Sequence, residues 1–197
     1  RDPTTYEHSQ RVAMFAEMIA KEMGLPQDQV ELISMSARLH DVGKIGMSNA
    51  LLYKPNPFSW EEWHEFRRHP TIGASMVENF PLFRKGRDLI LHHHERWDGQ
   101  GYPDRLAGEE IPLGARIIAA ADALEAMTAE RVYRDALTLD AAIAEFRRER
   151  GRQFDPKVAD VLVALLQRFR EHEPEWESAT FQVSYGAAYV QQGGRLR

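Results

Sequence analysis

The hydrophobic positions of this chain recur at helical spacing along most of its length. In residues 5–23, for example, Val12, Phe15 and Ile19 follow one another every three or four residues, and the pattern stops just before Pro26. Apolar residues at this spacing line one face of an α-helix and pack that face against a core. The pattern therefore predicts a helix here.

Several further segments have the same period and plausible boundaries. They are a helix from about Pro26 to residue 44, a helix ending at His69, a helix opened by Pro70, a helical segment at 87–95, an alanine-rich helix at 115–128, and two helices capped by Thr138 and Asp155. After residue 173 the period changes to an alternation that predicts a short β-hairpin or an extended tail. We expect an all-α bundle of about seven to nine helices in one domain, residues 1–172, and a C-terminal extension of unassigned role, residues 173–197.

Composition and charge exclude several classes of function. The chain has 197 residues, a net charge of −5 and no cysteine. The negative charge argues against a nucleic-acid partner held by bulk electrostatics. No apolar run approaches the roughly 18–20 residues of a membrane span, so no membrane contact is expected. The absence of cysteine excludes thiolate metal sites and fits a reducing compartment. Because the chain begins at Arg1, we expect it to be an excised domain.

Imidazoles and carboxylates interrupt the apolar faces of the predicted helices. They are His8, the pair His40–Asp41, His69, the pair His93–His94, and Asp122. Each has an ordinary explanation when taken alone, such as a hydrogen-bonded core histidine or a helix cap. Buried groups of this kind are costly unless they are paired or bind metal, and one shared site would satisfy all of them. Nitrogen and oxygen ligands without sulfur suit Mn, Fe, Ni or Zn.

Two segments carry a resemblance to a known family. "HDVGK" at 40–44 resembles the signature of the HD superfamily of metal-dependent phosphohydrolases, and "HHERWDGQGYP" at 93–103 is similar to the extended motif of its HD-GYP branch. Further family segments follow in order over about residues 1–166: "HSQRVA", "KP", "HPTIGA", "GEEIPLGARIIAAAD" and "AERVYRDAL". The resemblance implies an HD-superfamily helical bundle. It also implies a cytoplasmic phosphodiesterase that hydrolyses the bacterial second messenger cyclic di-GMP to linear pGpG, GMP or both.

The resemblance also assigns roles to individual residues. The implied metal ligands are His8, His40, Asp41, His69, His93, His94 and Asp122. Asp41 would bridge two metals, and a hydroxide between those metals would attack phosphorus. Lys44 and Arg131 would contact the phosphate. Tyr102 or Trp97 would stack on guanine, and the residues alone do not choose between them.

Departures from the family pattern concern the number of metals. Members with a third metal have a glutamate one helical turn before the first histidine, where this chain has Thr4. Glu7 points about 100° away from His8 on a helix and does not replace that glutamate. We therefore expect two divalent ions, Fe or Mn, with Ni, Zn or Mg as alternatives.

Glu95 is expected to orient a histidine N–H, and Glu125 replaces a common aspartate.

Other functions remain open from the sequence. One is a sensor or scaffold with negligible turnover, which binds either cyclic di-GMP or a diguanylate cyclase domain. A second is another HD-type nucleotide phosphohydrolase, which the "GYP" loop at 101–103 argues against. A diiron oxygenase of the HD type is a more remote alternative. By family analogy, an N-terminal sensor or receiver domain is an expected partner.

Overall fold

Helices account for nearly all the regular structure of the described residues. The computed structural model describes the backbone of residues 3–54, 56–129 and 136–172, with the side chains of 6–54, 56–129 and 136–171. The α-helices of these ranges are Pro3–Glu22 (α1), Gln27–Leu39 (α2), Asn49–Leu52 (α3), Trp60–Phe66 (α4), His69–Glu78 (α5), Arg87–Leu91 (α6), Leu113–Thr128 (α7), Leu139–Glu149 (α8) and Pro156–His172 (α9). Short 3₁₀ turns occupy Val42–Gly46, Arg84–Gly86 and Gly108–Glu110. The all-α prediction is confirmed, while the predicted hairpin or tail at 173–197 lies outside the described residues.

Local side-chain bonds set several helix beginnings. The Thr138 hydroxyl accepts a hydrogen bond from the Ala141 backbone N–H, and Asp155 Oδ1 accepts one from the Lys157 N–H at 2.7 Å. These bonds satisfy N–H groups that a first helical turn leaves without partners, and both caps were expected from the sequence. At α4, Ser59 and Glu62 form a reciprocal capping box.

The core lies between α1, α2, α7, α8 and α9. The predicted stripe of α1 is buried there, with Val12, Phe15 and Ile19 each at most 1% exposed. Phe146 of α8 and Leu166 of α9 complete the same cluster. None of the helices in the described ranges is both long enough and apolar enough to cross a membrane. This core holds one side of the bundle rigidly, and the polar cluster lies beside it.

Three predicted helix boundaries are wrong. Helix α2 ends at Leu39 instead of continuing to Lys44, and a 3₁₀ turn follows in which the Lys44 N–H bonds to the Asp41 carbonyl at 3.0 Å. Helix α4 ends at Phe66, and His69 is the first residue of α5. Pro70 lies inside the first turn of α5, where its missing N–H costs nothing. Both changes place the polar residues at helix ends. Helix α6 likewise ends at Leu91 instead of at residue 95, so His93 and His94 lie in the turn after it.

Candidate metal centre

The seven predicted ligands converge from five segments of the chain. His8 comes from α1, His40 and Asp41 from the end of α2, His69 from the start of α5, His93 and His94 from the turn after α6, and Asp122 from α7. Ligand atoms of Asp41, His69, His93 and His94 all lie within 4.8 Å of one another, as do those of His8, His40 and Asp41. Asp122 Oδ1 is 3.5 Å from His8 Nε2. Asp41 belongs to both groups, so the cluster has two halves that share one carboxylate.

Backbone carbonyls orient three of the imidazoles. In each case Nδ1 donates a hydrogen bond to the carbonyl three residues earlier. The pairs are His40 with Ala37 at 2.7 Å, His69 with Phe66 at 2.8 Å and His93 with Ile90 at 2.7 Å. Because a carbonyl only accepts, Nδ1 carries a proton, and in a neutral ring Nε2 then keeps its lone pair. These bonds direct three lone pairs into the cluster.

Two of these nitrogens are buried without a hydrogen-bond partner among the described residues. They are His40 Nε2 and His93 Nε2, on side chains that are each 1% exposed. A buried polar atom without a partner costs about 1–3 kcal/mol. The pattern fits a cation, because the lone pairs converge and the donors are imidazole nitrogens and carboxylate oxygens. The residues present therefore fit a first-row divalent metal.

Asp41 is positioned to face both halves of the cluster. Its Oδ1 lies 3.4 Å from His69 Nε2, and its Oδ2 lies 3.4 Å from His40 Nε2 and 2.6 Å from Lys44 Nζ. Burial raises the pKa of Asp41, but the nearby His40 and Lys44 outweigh burial and hold that pKa well below its usual value. Asp41 is therefore ionised, which is the form that ligates metal.

The surroundings keep His69, His93 and His94 neutral. Burial, followed by the neighbouring His94, lowers the pKa of His93 well below its usual value. Burial and His69 lower the pKa of His94 to about 3. The pKa of His69 is also lowered, chiefly by burial, against the pull of Asp41. Neutral imidazole is the ligating form, so no proton has to be displaced from these rings at neutral pH.

A buried carboxylate behind His8 escaped the sequence analysis as a supporting residue. His8 Nδ1 donates to Glu125 Oε2 at 2.7 Å, and Arg11 donates to Oε1 from Nε at 2.9 Å and from Nη2 at 2.6 Å. Burial raises the pKa of Glu125, but the bonds from His8 and Arg11 outweigh it and lower the pKa to about 2. Glu125 lies one turn after Asp122, and Arg11 one turn after His8. That spacing was a readable signal.

The segment after α6 places Tyr102, and not Trp97, at the cluster. The Tyr102 ring centroid is 4.8 Å from that of His94. Trp97 instead lies under the guanidinium of Arg116 at 5.6 Å, and Arg116 pairs with Asp155. Of the two rings considered for guanine stacking, Tyr102 is the one beside the cluster.

The same loop is packed tightly against the end of α6. A Cβ on Gly101 would lie 2.4 Å from the Arg96 backbone nitrogen, so only glycine fits there. Glu95 Oε1 accepts a hydrogen bond from the Asp104 backbone N–H at 2.7 Å, while His92 Nδ1 is 3.8 Å away. The expectation that Glu95 orients a histidine N–H is therefore wrong. Its carboxylate ties down the loop.

The structure does not describe the side chains of two residues to which the sequence assigned a role. Arg131, the expected second phosphate contact, is outside the described residues, as is the side chain of Thr4. Lys44 is within the geometry: its ammonium is 2.6 Å from Asp41, 5.5 Å from the Phe66 ring centroid and 31% exposed. Lys44 therefore lies between the cluster and solvent.

Comparisons with known proteins match this chain over most of its length. A family model described as "HD domain" matches residues 1–158. The chain is 41% identical over 165 residues to the cyclic di-GMP phosphodiesterase response regulator RpfG of Xanthomonas campestris, covering 83% of this chain and 44% of that protein. It is 35% identical over 171 residues to the 3'3'-cGAMP-specific phosphodiesterase 2 of Vibrio cholerae, covering 86% of this chain and 33% of the relative. This chain spans less than half of either relative.

A solved structure has the same fold. It is the crystal structure of a cyclic GMP-AMP specific phosphodiesterase of V. cholerae, V-cGAP3, with a TM-score of 0.68 and 19% sequence identity. The likeness covers 93% of this chain and 48% of that one. At this identity the comparison supports the helical architecture, and the chemistry of the site has to be argued from its residues.

Proposed function

This chain belongs to the HD-domain family, and on that premise we propose that it is a metal-dependent phosphodiesterase that hydrolyses cyclic di-GMP to linear pGpG, GMP or both. The observation that carries the proposal is the pair of imidazole nitrogens, His40 Nε2 and His93 Nε2, that are buried beside an ionised Asp41. HD phosphohydrolases are metal-dependent, and this arrangement is what a metal-dependent hydrolase requires.

We propose that the cluster holds two divalent ions, Fe or Mn, with Asp41 shared between them. The ligand set is His8, His40, Asp41, His69, His93, His94 and Asp122. Its division into two groups with Asp41 in common supports this count. Divalent ions at such a site supply Lewis acidity to the phosphoryl oxygens and lower the pKa of water so that it serves as a nucleophile. The argument against a third ion rests on Thr4 in the sequence.

The protein's own groups position the phosphodiester. Lys44 is partly exposed beside Asp41, so its ammonium can turn to a non-bridging phosphoryl oxygen and offset the charge that develops there. Tyr102 forms a wall next to His94 and is the proposed stacking partner of a base. Arg131 is proposed as the second phosphate contact from the sequence alone.

The proposal extends to the setting of the domain. Since the chain spans 44% of the response regulator that it matches, we propose that a sensor or receiver domain controls it, and that its partners include diguanylate cyclase domains. A cytoplasmic location belongs to the same proposal, because cyclic di-GMP is an intracellular messenger.

The test combines metal content with product analysis. The protein is purified without chelators, its metals are counted by elemental analysis, and it is incubated with cyclic di-GMP under Mn²⁺, or under Fe²⁺ without oxygen. We expect about two metals per chain and a linear product. The Lys44→Ala variant should keep its metals and lose most turnover, whereas Lys85→Ala, at an exposed lysine, should behave as the wild type.

The alternatives give different results in the same experiment. Metal-loaded protein that binds cyclic di-GMP without releasing product would be a sensor, and the proposal would fail. Turnover that survives both chelation and the His40→Ala/Asp41→Ala double change would refute the metal mechanism. In a separate assay with oxygen present, consumption of oxygen by the Fe²⁺-loaded protein would indicate an oxygenase.

A further inference from the structure

A row of stacked side chains runs outwards from the metal cluster. The Tyr102 ring lies 4.8 Å from the His94 ring, the guanidinium carbon of Arg67 lies 5.2 Å from the Tyr102 ring, and the same carbon lies 5.8 Å from the Trp63 ring. His94 belongs to the cluster, and Trp63 lies on α4. The row therefore forms a continuous wall from the proposed reaction centre to the protein surface.

The outer part of this wall has groups that are available to a ligand. Arg67 is exposed, its guanidinium lies over the Trp63 and Tyr102 rings, and no carboxylate of the described ranges forms an ion pair with it. Trp63 is 46% exposed and its neighbour Trp60 is 78% exposed, although large aromatic side chains normally gain from burial. Helix α4 has no buried residue at all. A planar cation held between two aromatic rings at the protein surface is suited to a planar, electron-rich partner.

We propose that Arg67 and Trp63 form a subsite for a guanine base. The inference rests on the proposed function and deepens it by naming the base that this site selects. Guanine presents two adjacent acceptors, O6 and N7, which match the parallel N–H donors of a guanidinium. Adenine presents N7 beside the N6 amino donor, so it meets one donor of Arg67 with another donor. The Trp63 face supplies stacking that either purine accepts.

The wall also explains why this subsite is near the reaction. Tyr102 lies between His94 and Arg67, so Arg67 is separated from a proposed metal ligand by one ring. A base held on Arg67 is therefore near the metal cluster, beside which Lys44 would contact phosphate. Tyr102 acts here as a positioning residue for the guanidinium, in addition to its proposed contact with substrate.

The test compares substrates that differ in their bases. We would measure kcat and KM, or the inhibition constant where turnover is absent, for cyclic di-GMP, 3'3'-cGAMP, cyclic di-AMP and the base-free bis(p-nitrophenyl) phosphate. The variants are Arg67→Ala, Arg67→Lys and Trp63→Ala, with Arg68→Ala as the matched control at the next exposed arginine.

We expect Arg67→Ala to raise the KM for cyclic di-GMP about tenfold, in line with the loss of one bidentate base contact. Its kcat should change little. The effect on cyclic di-AMP and on bis(p-nitrophenyl) phosphate should be much smaller. Arg67→Lys should recover only part of the preference for guanine, because an ammonium lacks the paired donors. Trp63→Ala should weaken all three dinucleotides alike.

Three outcomes would overturn the inference. Arg67→Ala could have the same kinetic constants as Arg68→Ala, or it could weaken the binding of all four compounds equally. The third outcome is that the wild type binds cyclic di-AMP as tightly as cyclic di-GMP. Failure of the proposed function is recognised separately. In that case the wild type cleaves no cyclic dinucleotide. The dinucleotides can still be tested as inhibitors of the hydrolysis of bis(p-nitrophenyl) phosphate, and their inhibition constants report whether Arg67 selects guanine.

Discussion

Replacing Glu125 with glutamine tests how this carboxylate supports metal binding, and a comparison with Arg11→Met separates that effect from the effect on fold stability. The carboxylate accepts from His8 Nδ1 on one oxygen and from Arg11 on the other. The amide of glutamine has one acceptor and one donor, so either His8 or Arg11 loses its acceptor whichever way the amide turns. Losing a hydrogen bond to a charged group costs about 1.5–3 kcal/mol. We expect the unfolding free energy of the metal-free Glu125→Gln variant to fall by that amount.

The same change should weaken metal binding at His8 in either amide orientation, because a neutral amide oxygen accepts from Nδ1 more weakly than a carboxylate does. Groups that hold the distal nitrogen of a ligand histidine typically contribute about 10–100-fold to metal affinity. Arg11→Met is the matched control, because it removes the two bonds to Oε1 and leaves the bond between His8 and Glu125 in place. It should destabilise the metal-free fold in a similar way and change metal affinity much less.

Two measurements decide this prediction. Mn²⁺ is titrated into each metal-free variant against a competing chelator, and the unfolding free energy is measured in urea with excess chelator present. The reasoning is refuted if Glu125→Gln binds Mn²⁺ as tightly as the wild type. It is also refuted if Arg11→Met loses as much affinity as Glu125→Gln, since the bond to His8 would then be irrelevant.

Three further outcomes follow from the packing and charges. Gly43→Ala should lower the unfolding free energy by about 3 kcal/mol in urea titrations, because its Cβ would lie 1.9 Å from a backbone oxygen. Gly46→Ala should cost much less, since its Cβ would lie 3.1 Å from a movable side-chain carbon. Hydrogen bonds from Arg96 lower the pKa of Asp98, so the ionised carboxylate stabilises the fold. Asp98→Asn should therefore lower the unfolding free energy at pH 7. The difference from the wild type should shrink as the pH falls through the lowered pKa. Chelation should lower the melting temperature without unfolding the protein, by the equivalent of about 2.7 kcal/mol if metal had been present at 100 times its Kd.

The helical fold was readable from the sequence because its apolar stripes are regular. Val12, Phe15 and Ile19 are buried as their spacing predicts, and the caps at Thr138 and Asp155 form. The end of α4 was mispredicted because Pro70 was expected to end the preceding helix at His69, whereas His69 begins α5. That expectation overlooked the first turn, where the missing N–H of proline is tolerated.

The members of the cluster could be predicted from the sequence, but the pairing of its supporting groups could not. Its members stand out singly, as imidazoles or carboxylates on apolar faces. The contact of Glu125 with His8 joins residues 117 positions apart, and Arg11 reaches the same carboxylate across 114 positions. A sequence shows that each is on a particular helix face, but the packing of α1 against α7 decides that they meet. Such pairing over long separations depends on tertiary structure alone.

Helix α4 has a consequence for how this protein can change over evolutionary time. None of its residues is buried, and its attachments include a capping box and the ion pair of Lys54 with Glu62. Mutations on its outer face therefore escape the purifying pressure that a packed core imposes. The histidines that converge on Asp41 have no such freedom. The exposed face of α4 can drift towards a new ligand while the metal cluster stays fixed, so selectivity and chemistry can evolve at different rates within one small domain.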